Sequence, residues 1–169
     1  MIGPARPPDR FRSSGPRMPR MSSDFASITL QPIGFVHNGE ADAACVDWSR
    51  VRSQIVLSEG FVDALLGLAD YSHVIVVGWL HELTEVMRQR LQAYPSGDDR
   101  YPIQGSLALR GARPNPISVT VCRLLKIDGA TLEVEGLDLV DGTPILDVKP
   151  YIAAYDAIAK ASIPRWARG

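Results

Sequence analysis

The chain has 169 residues, 46% of them hydrophobic and 22% charged, which suits one globular domain with its own core. No apolar run is long enough to span a bilayer. The two cysteines have no CxxC spacing and no clustered histidines, so they indicate neither a metal site nor a disulfide framework. A reducing cytoplasm fits best. Residues 1–24 hold five arginines and two aspartates, which leaves 13 basic and 17 acidic residues elsewhere, so the main part of the chain lacks the basic footprint of a nucleic-acid binder.

Residues 1–24 are rich in proline, arginine and serine, and the prolines interrupt any hydrophobic periodicity. We therefore expect an N-terminal arm at 1–24 and one folded domain at 25–169. Three explanations of the arm stay open. It is a reading frame extended upstream of a start at Met18 or Met21, a basic arm that contacts RNA, or a targeting peptide, although it lacks the apolar core of a secretory signal.

The first half of the domain predicts strands around one helix. Residues 28–36 alternate as in a strand, and Gly34 within them indicates a bulge or a close backbone approach. After a short strand at 54–57, Ser58 is a suitable N-cap for a helix with apolar residues at helical spacing. The nearly unbroken apolar run at 71–80 predicts the most deeply buried strand of the chain.

The middle of the chain predicts less regular structure. Residues 84–94 contain good helix formers and predict a short surface helix, which the Pro, Ser, Gly and Asp residues at 95–99 end. From there to Arg113 we expect a long loop with a short apolar stretch at 107–109.

The last third predicts a hairpin and a final helix. Residues 117–127 alternate strongly, Asp128-Gly129 is a hairpin signal, and residues 131–140 return as the partner strand. Residues 153–161 predict a last helix. Many short strands, few helices and frequent Gly and Pro predict a mainly β fold, either a barrel or a sandwich.

The turn at residues 141–144 reads Asp-Gly-Thr-Pro and has apolar residues on both sides. Asp bonds nearby backbone, Gly accepts positive φ and Pro fixes the exit, so two short strands are expected to meet here and to carry Asp138, Asp141 and Asp147 close together. Two explanations stay open: Asp141 merely caps the turn while the other two face water, or the carboxylates belong to a site.

Two motifs give the chain a specific resemblance. Residues 137–151 read LDLVDGTPILDVKPY, and residues 113–117 read RPNPI. In this order and spacing they resemble the signature motifs of the TsaA-like family, also called TrmO, and the similarity extends over residues 28–155. Members of that family are S-adenosylmethionine-dependent methyltransferases, and the characterised ones methylate threonylcarbamoyl-adenosine beside the anticodon of certain tRNAs. The resemblance implies a small, irregular β-barrel with a few short helices, S-adenosylmethionine as cofactor, tRNA as substrate and a homodimer.

The resemblance also implies cofactor contacts. The family places adenosine against the strand that enters the turn, largely through backbone groups, which here means Leu137, Asp138, Leu139 and Val140. The other positions that match cofactor contacts are His81, Glu82, Arg110, Val121, Asp47, Trp48 and Ser49. Arg110 would pair with a carboxylate, since its planar fork suits two oxygens, although an ordinary surface arginine is the alternative. His81 could likewise be only a polar residue that ends a strand.

Methyl transfer requires no covalent nucleophile, and the sequence contains no nucleophile motif. The hydrogen on the acceptor nitrogen must leave, so a base is expected; the candidates are Asp138, Asp141 and Tyr151. On the substrate side we expect Arg113, Asn115 and Lys149. Two prolines restrict Asn115, whereas Lys149 could instead pair with Asp147.

Some residues depart from the family pattern. The loop before RPNPI, residues 107–112, is one residue shorter than usual, with Leu109 for threonine and Gly111 for serine, and Ser118 replaces the usual glycine. These changes spare the turn motif and leave three alternatives: methylation of another RNA or a small molecule, a non-catalytic cofactor-binding module, or a hydrolase that uses Asp138 and Asp141. Residues 103–113 are expected to contact a second chain in the dimer.

Overall fold

The computed structural model describes residues 28–42 and 46–167, so the predicted arm at 1–24 lies outside the described residues. The strands are β1 Gly34–His37, β2 Arg52–Leu57, β3 His73–Trp79, β4 Gln92–Ala93, β5 Gln104–Gly105, β6 Ile117–Asp128, β7 Thr131–Glu135 and β8 Pro144–Pro150. Six of them close an antiparallel barrel in the order β1-β2-β7-β6-β3-β8, while β4 and β5 form a separate two-stranded sheet. The predicted mainly β barrel is confirmed.

Alternating side chains fill the barrel, because successive residues of a strand point to opposite faces. In β2, Ser53, Ile55 and Leu57 are buried while Arg52 and Gln54 are exposed. The rest of the buried apolar core consists of Val36, Val74, Val76, Cys122, Leu124, Leu132, Val134, Leu137, Leu139 and Ile145.

Gly34 lies where β1 meets β2, opposite Leu57. A Cβ atom at this position would be 2.4 Å from the backbone oxygen of Val56 and 2.8 Å from the Cα of Leu57. The close backbone approach expected from the sequence is therefore present, and only glycine fits it.

The helices are shorter than the sequence predicts. The α-helices are α1 Glu85–Arg88, capped by the side chain of Thr84, and α2 Ala153–Asp156. The expected helix after Ser58 is wrong as an α-helix: two 3₁₀ helices, Glu59–Leu65 and Leu68–Asp70, stand there instead. Gly67 separates them with a φ of 81°, which an α-helix cannot continue through. No helix in the described part of the chain is long and apolar enough to cross a membrane.

The antiparallel order gives the barrel two unlike ends. At one end, which we call the site end, β1, β3 and β7 finish and β2, β6 and β8 begin. The three segments there are residues 38–51, of which 38–42 and 46–51 are described, residues 80–116 and residues 136–143. At the opposite end, β6 and β7 are joined by a tight turn with Gly129 at a φ of 56°.

Candidate functional site

The site end collects most of the residues predicted to bind the cofactor. Asp47, Trp48 and Ser49 lie in the segment 38–51; His81, Glu82 and Arg110 lie in the segment 80–116; Leu137, Asp138, Leu139 and Val140 lie in the segment 136–143. Of the residues predicted on the substrate side, Arg113 and Asn115 are also there. The barrel topology, rather than nearness in sequence, brings the three segments to the same end.

Residues 137–140 carry several unpaired backbone groups at the site end. Leu137 and Leu139 are 0% and 1% exposed as whole residues, so they fix the segment to the core, while Asp138 is exposed. Within the described residues, none of the four N–H groups of 137–140 donates a hydrogen bond, and the carbonyl groups of Leu137 and Asp138 accept none. Such groups need a partner, either water or a ligand.

Asp138 is held by the strand beside it. The hydroxyl group of Thr120, in β6, donates to Oδ1 of Asp138, which leaves the second carboxylate oxygen without a hydrogen bond from the described residues. Thr120 itself is buried. Burial, and secondarily the charge of Asp138, raise the pKa of the nearby Cys122 thiol to about 12. Cys122 is therefore a neutral core residue and not a nucleophile.

Asp141 connects two turns. Its Oδ1 accepts hydrogen bonds from the backbone N–H groups of Asn38 at 2.8 Å and Gly39 at 3.2 Å. These bonds, that of Asn38 first, lower the pKa of the Asp141 carboxyl group. Its own N–H donates to the carbonyl of Glu40 at 2.8 Å. The geometry thus favours the turn-capping explanation for Asp141.

Asn38 is a residue that the sequence analysis missed. Its Nδ2 donates to the Ser53 hydroxyl at 3.0 Å and to the Leu139 carbonyl at 2.9 Å, and its Oδ1 accepts from the Glu40 N–H at 3.0 Å. Asn38 therefore ties the end of β1 to the 137–140 segment. Asn38-Gly39 reads as a turn signal, but two of the partners of Asn38, Leu139 and Asp141, lie 101 and 103 residues away in sequence, so no local pattern could identify them.

His81 and Glu82 follow β3 and are exposed, without a side-chain hydrogen bond in the described part of the chain. The backbone beside them is anchored, since the Leu80 N–H donates to the Pro116 carbonyl at 2.7 Å. This bond holds the exit of β3 next to the RPNPI motif. Asn115 is exposed in the same motif, and its carbonyl accepts from the Ile117 N–H at 2.7 Å.

The two arginines before β6 contact backbone carbonyl groups. Arg110 donates through one terminal nitrogen to the Val119 carbonyl at 2.5 Å and is otherwise exposed, which leaves part of its fork available. Arg113 folds back onto its own loop and donates to the carbonyls of Leu109 and Gly111. In this structure Arg113 therefore stabilises the loop.

The segment 46–50 is a capped 3₁₀ turn. Oδ1 of Asp47 accepts from the Ser49 hydroxyl at 2.6 Å and the Ser49 N–H at 3.3 Å, and Asp47 forms an ion pair of 3.6 Å with Arg50. Trp48 is half-buried. Asp47 and Ser49 thus shape the turn, and their predicted contact with the cofactor stays a prediction.

Three predicted residues lie apart from the site end. Val121 is on the outer face of β6, opposite Ile75 of β3. Lys149 is on β8, opposite the same Ile75. Its Nζ lies 2.5 Å from Oδ2 of Asp147, which is the ion pair that the sequence left open as an alternative to substrate contact. Tyr151 lies at the opposite end, where its ring is edge-on to His73, 6.3 Å between centroids. The structure does not bring Tyr151 together with Asp138.

No cluster of three or more potential metal-binding side chains occurs among residues 28–42 and 46–167. A cavity of about 490 Å³ lies between β8 and the 3₁₀ helices of residues 59–70, and its lining includes Phe61, Leu65, Tyr71 and Val148. None of the residues predicted to bind the cofactor lines it.

Comparison with known proteins gives consistent results. The family described as the tRNA-methyltransferase O N-terminal domain matches residues 41–157. The S-adenosyl-L-methionine-binding protein of Archaeoglobus fulgidus is 30% identical over 136 residues, which cover 78% of this chain and 94% of that protein. The tRNA (adenine(37)-N6)-methyltransferase of Mus musculus is 35% identical over 108 residues, or 59% of this chain and 23% of the mouse protein.

Solved structures agree with the fold. The crystal structure of TrmO from Pseudomonas aeruginosa superposes with a TM-score of 0.65 at 30% identity, over 81% of this chain and 62% of that chain. The chain therefore spans less than two thirds of the solved TrmO chain and about a quarter of the mouse enzyme. The residues matched by the family, 41–157, include strands β2 to β8.

Proposed function

Because the chain belongs to the tRNA-methyltransferase O family, we propose that it transfers a methyl group from S-adenosylmethionine to tRNA. The methylated atom would be the N6 nitrogen of the adenosine beside the anticodon, in its threonylcarbamoyl form. The names of the archaeal and mouse relatives support the cofactor and the substrate respectively. The reaction would take place in the cytoplasm, where its tRNA substrate is found.

The observation that carries this proposal is the unpaired backbone of residues 137–140. An adenine base offers hydrogen-bond donors and acceptors along its edge, and backbone N–H and C=O groups match them without any special side chain. Here the four N–H groups and the carbonyls of Leu137 and Asp138 form no hydrogen bond within the described residues, while Leu137 and Leu139 are fixed in the core. A rigid segment with unsatisfied backbone suits the adenosine part of the cofactor.

Other groups at the site end complete this assignment. The free donors of Arg110 suit the carboxylate of the cofactor's amino acid part. His81, Glu82 and Asn115 offer exposed polar side chains that could orient the ribose and the methyl acceptor. When bound, the cofactor supplies an electrophilic methyl group on a sulfonium, so this chain has to orient donor and acceptor and to remove a proton.

We assign proton acceptance to Asp138. Of the three candidates, Asp141 is engaged with backbone N–H groups and Tyr151 lies at the opposite end. Asp138 is exposed at the site end, and Thr120 orients its carboxylate while one oxygen stays open. As the acceptor nitrogen bonds to the methyl group, that open oxygen would take the N6 proton.

We further propose that the active form is a homodimer. The outer face of β6 exposes Val119 at 52% and Val121 at 49%, and the adjacent loop exposes Ile103 at 51% and Leu107 at 80%. The hydrogen bond from Arg110 to the Val119 carbonyl holds the loop 103–113 beside β6, and these exposed apolar side chains suit a second copy of the chain. Sedimentation equilibrium should give a dimeric mass, and Val119→Asp should lower it to that of a monomer; a monomeric wild type would refute the dimer.

A different methyl acceptor is the second candidate function. It is favoured by the acidic balance of residues 25–169 and by the shortened loop at 107–112. Incubating the protein and radiolabelled cofactor with unfractionated tRNA, ribosomal RNA and a small-molecule extract distinguishes the two candidate functions. Label in tRNA supports the first proposal, and label elsewhere supports the second.

The decisive experiment compares Asp138→Asn and Arg110→Ala with Asp128→Asn, whose carboxylate pairs with Lys126 near the opposite end. Calorimetry should show Arg110→Ala weakening cofactor binding by about tenfold, or about 1.4 kcal/mol. Asp138→Asn should keep binding but lose about 10²-fold or more in turnover. Asp128→Asn should have the cofactor affinity and the turnover of the wild type. If the wild type does not bind S-adenosylmethionine, the assignment is wrong.

A further inference from the structure

Arg88, the last residue of α1, makes a set of contacts that the proposed chemistry does not explain. Its Nε and one terminal nitrogen both donate to the carbonyl of Pro114, at 3.1 and 3.0 Å. The other terminal nitrogen lies 3.2 Å from the Glu85 carboxylate, and the guanidinium carbon lies 5.5 Å from the centroid of the Trp79 ring. One side chain therefore links α1, the end of β3 and the RPNPI motif.

These contacts fix the orientation of the guanidinium group. The Arg88 side chain is 29% exposed, packed against the Trp79 face, and the Glu85 carboxylate one turn earlier supplies its counter-charge. A planar group held on an aromatic face has little freedom to turn, and its fork then directs two N–H groups toward one acceptor. The arrangement is far more specific than an exposed helical ion pair, which contributes little.

The carbonyl oxygen that accepts both bonds lies directly before Asn115 in the chain. This carbonyl of Pro114 belongs to the same peptide plane as the N–H of Asn115, so holding the oxygen fixes the plane. Both prolines of the motif lack an N–H group, and the loop is anchored through its carbonyls: Pro114 to Arg88 and Pro116 to the Leu80 N–H. Arg88 supplies the first of these two anchors.

We propose that Arg88 is a positioning residue for the methyl acceptor, because it holds the Pro114-Asn115 peptide so that Asn115 is presented at the site end in one orientation. This inference rests on the proposed methyltransferase function. Arg88 acts through the loop and does not touch the reacting atoms. It should therefore affect turnover more than cofactor affinity, since a small misplacement of a positioning group is costly in rate.

The test compares Arg88→Met, Arg88→Lys and Arg90→Met. Met keeps much of the aliphatic stem and removes the fork, Lys keeps the charge but not the fork, and Arg90 is an exposed arginine in the same segment that forms no side-chain hydrogen bond or ion pair in the described part of the chain. The first readout is amide hydrogen exchange at Leu80, whose N–H reports whether the Pro116 carbonyl is in place.

We expect Leu80 to exchange faster in Arg88→Met, and turnover to fall by about tenfold to a hundredfold while the Kd for S-adenosylmethionine is unchanged. Arg88→Lys should give intermediate values of Leu80 exchange and turnover, and Arg90→Met should give the wild-type values of both. Wild-type turnover in Arg88→Met, or an equal loss in turnover and cofactor affinity, would overturn the positioning role. If the wild type methylates no tRNA, the proposed function fails; unchanged Leu80 exchange in Arg88→Met would then refute the anchoring role, and faster exchange would support it.

Discussion

Gly34→Ala should destabilise the barrel at the seam where β1 joins β2. The new Cβ would lie 2.4 Å from the Val56 carbonyl oxygen and 2.8 Å from the Leu57 Cα, and both are backbone atoms that no rotamer change can move. Overpacking of this kind costs about 1–3 kcal/mol or more, against a gain of about 0.4–1 kcal/mol because alanine restricts the unfolded chain. We expect a net loss of about 2 kcal/mol.

The matched control is Gly60→Ala. A Cβ at Gly60 meets no atom within 4 Å, and its backbone is not left-handed, so the entropic gain should appear without strain. Urea unfolding followed by tryptophan fluorescence would measure both variants. The free energies of unfolding of the two variants should differ by about 3 kcal/mol, which corresponds to a difference of about 6–12 °C in Tm for a domain of this size. Equal stability of the two variants would refute the reasoning.

Three other positions allow sharp tests of single contacts. Gly78→Ala should destabilise the fold, because its Cβ would lie 2.9 Å from the Ser118 hydroxyl, and Ser118→Gly should recover part of the loss in a double-mutant cycle. Asp141 has a lowered pKa in the folded state, so its stabilising effect is present above pH 3.8 and is lost as the pH falls through the folded pKa. In urea titrations, the free energy of unfolding of Asp141→Asn should therefore be lower than that of the wild type at pH 7 and should converge with it at strongly acid pH. In a Cys45→Ser background, Cys122 should resist iodoacetamide at pH 8 until urea unfolds the chain, since burial raises its pKa to about 12; rapid labelling of the folded protein would show that this thiol is accessible.

The sequence predicted what local chemistry decides. Asp128-Gly129 forms the expected hairpin turn, because the turn type depends on few neighbouring residues. Gly34 makes the expected close approach, although its neighbours there, Val56 and Leu57, belong to another strand. The expected α-helix after Ser58 was wrong because its spacing pattern does not distinguish the two kinds of helix. Apolar residues at helical spacing suit a 3₁₀ helix nearly as well, and Gly67 in a left-handed conformation ends the first of the two before an α-helix can extend.

The roles of the turn carboxylates could not be predicted, since they depend on distant partners. Asp138 and Asp141 are three residues apart, yet Asp138 is bonded to Thr120 of β6, and Asp141 is bonded to Asn38 and Gly39 after β1. A sequence pattern cannot distinguish them, because each partner is brought close only when the barrel closes. Arg88 is similar: its helical spacing to Glu85 predicts a surface pair, while its bond to Pro114 depends on the fold of the whole 80–116 segment.

The division of the barrel into two ends explains why one short motif organises the site. In a closed antiparallel barrel, each strand end at the site end must be joined by a segment that crosses there, and three such segments meet. Residues 136–143 could have continued β7 as a regular ladder, but Leu137 and Leu139 are buried in the core and their backbone N–H groups are left unpaired within the described residues. Asn38 and Asp141 then bind this segment to the end of β1, so the unpaired groups are held by side-chain burial and by a second turn. A segment that gives up its ladder hydrogen bonds must recover their free energy from another partner, and the proposed adenosine contact would supply that partner.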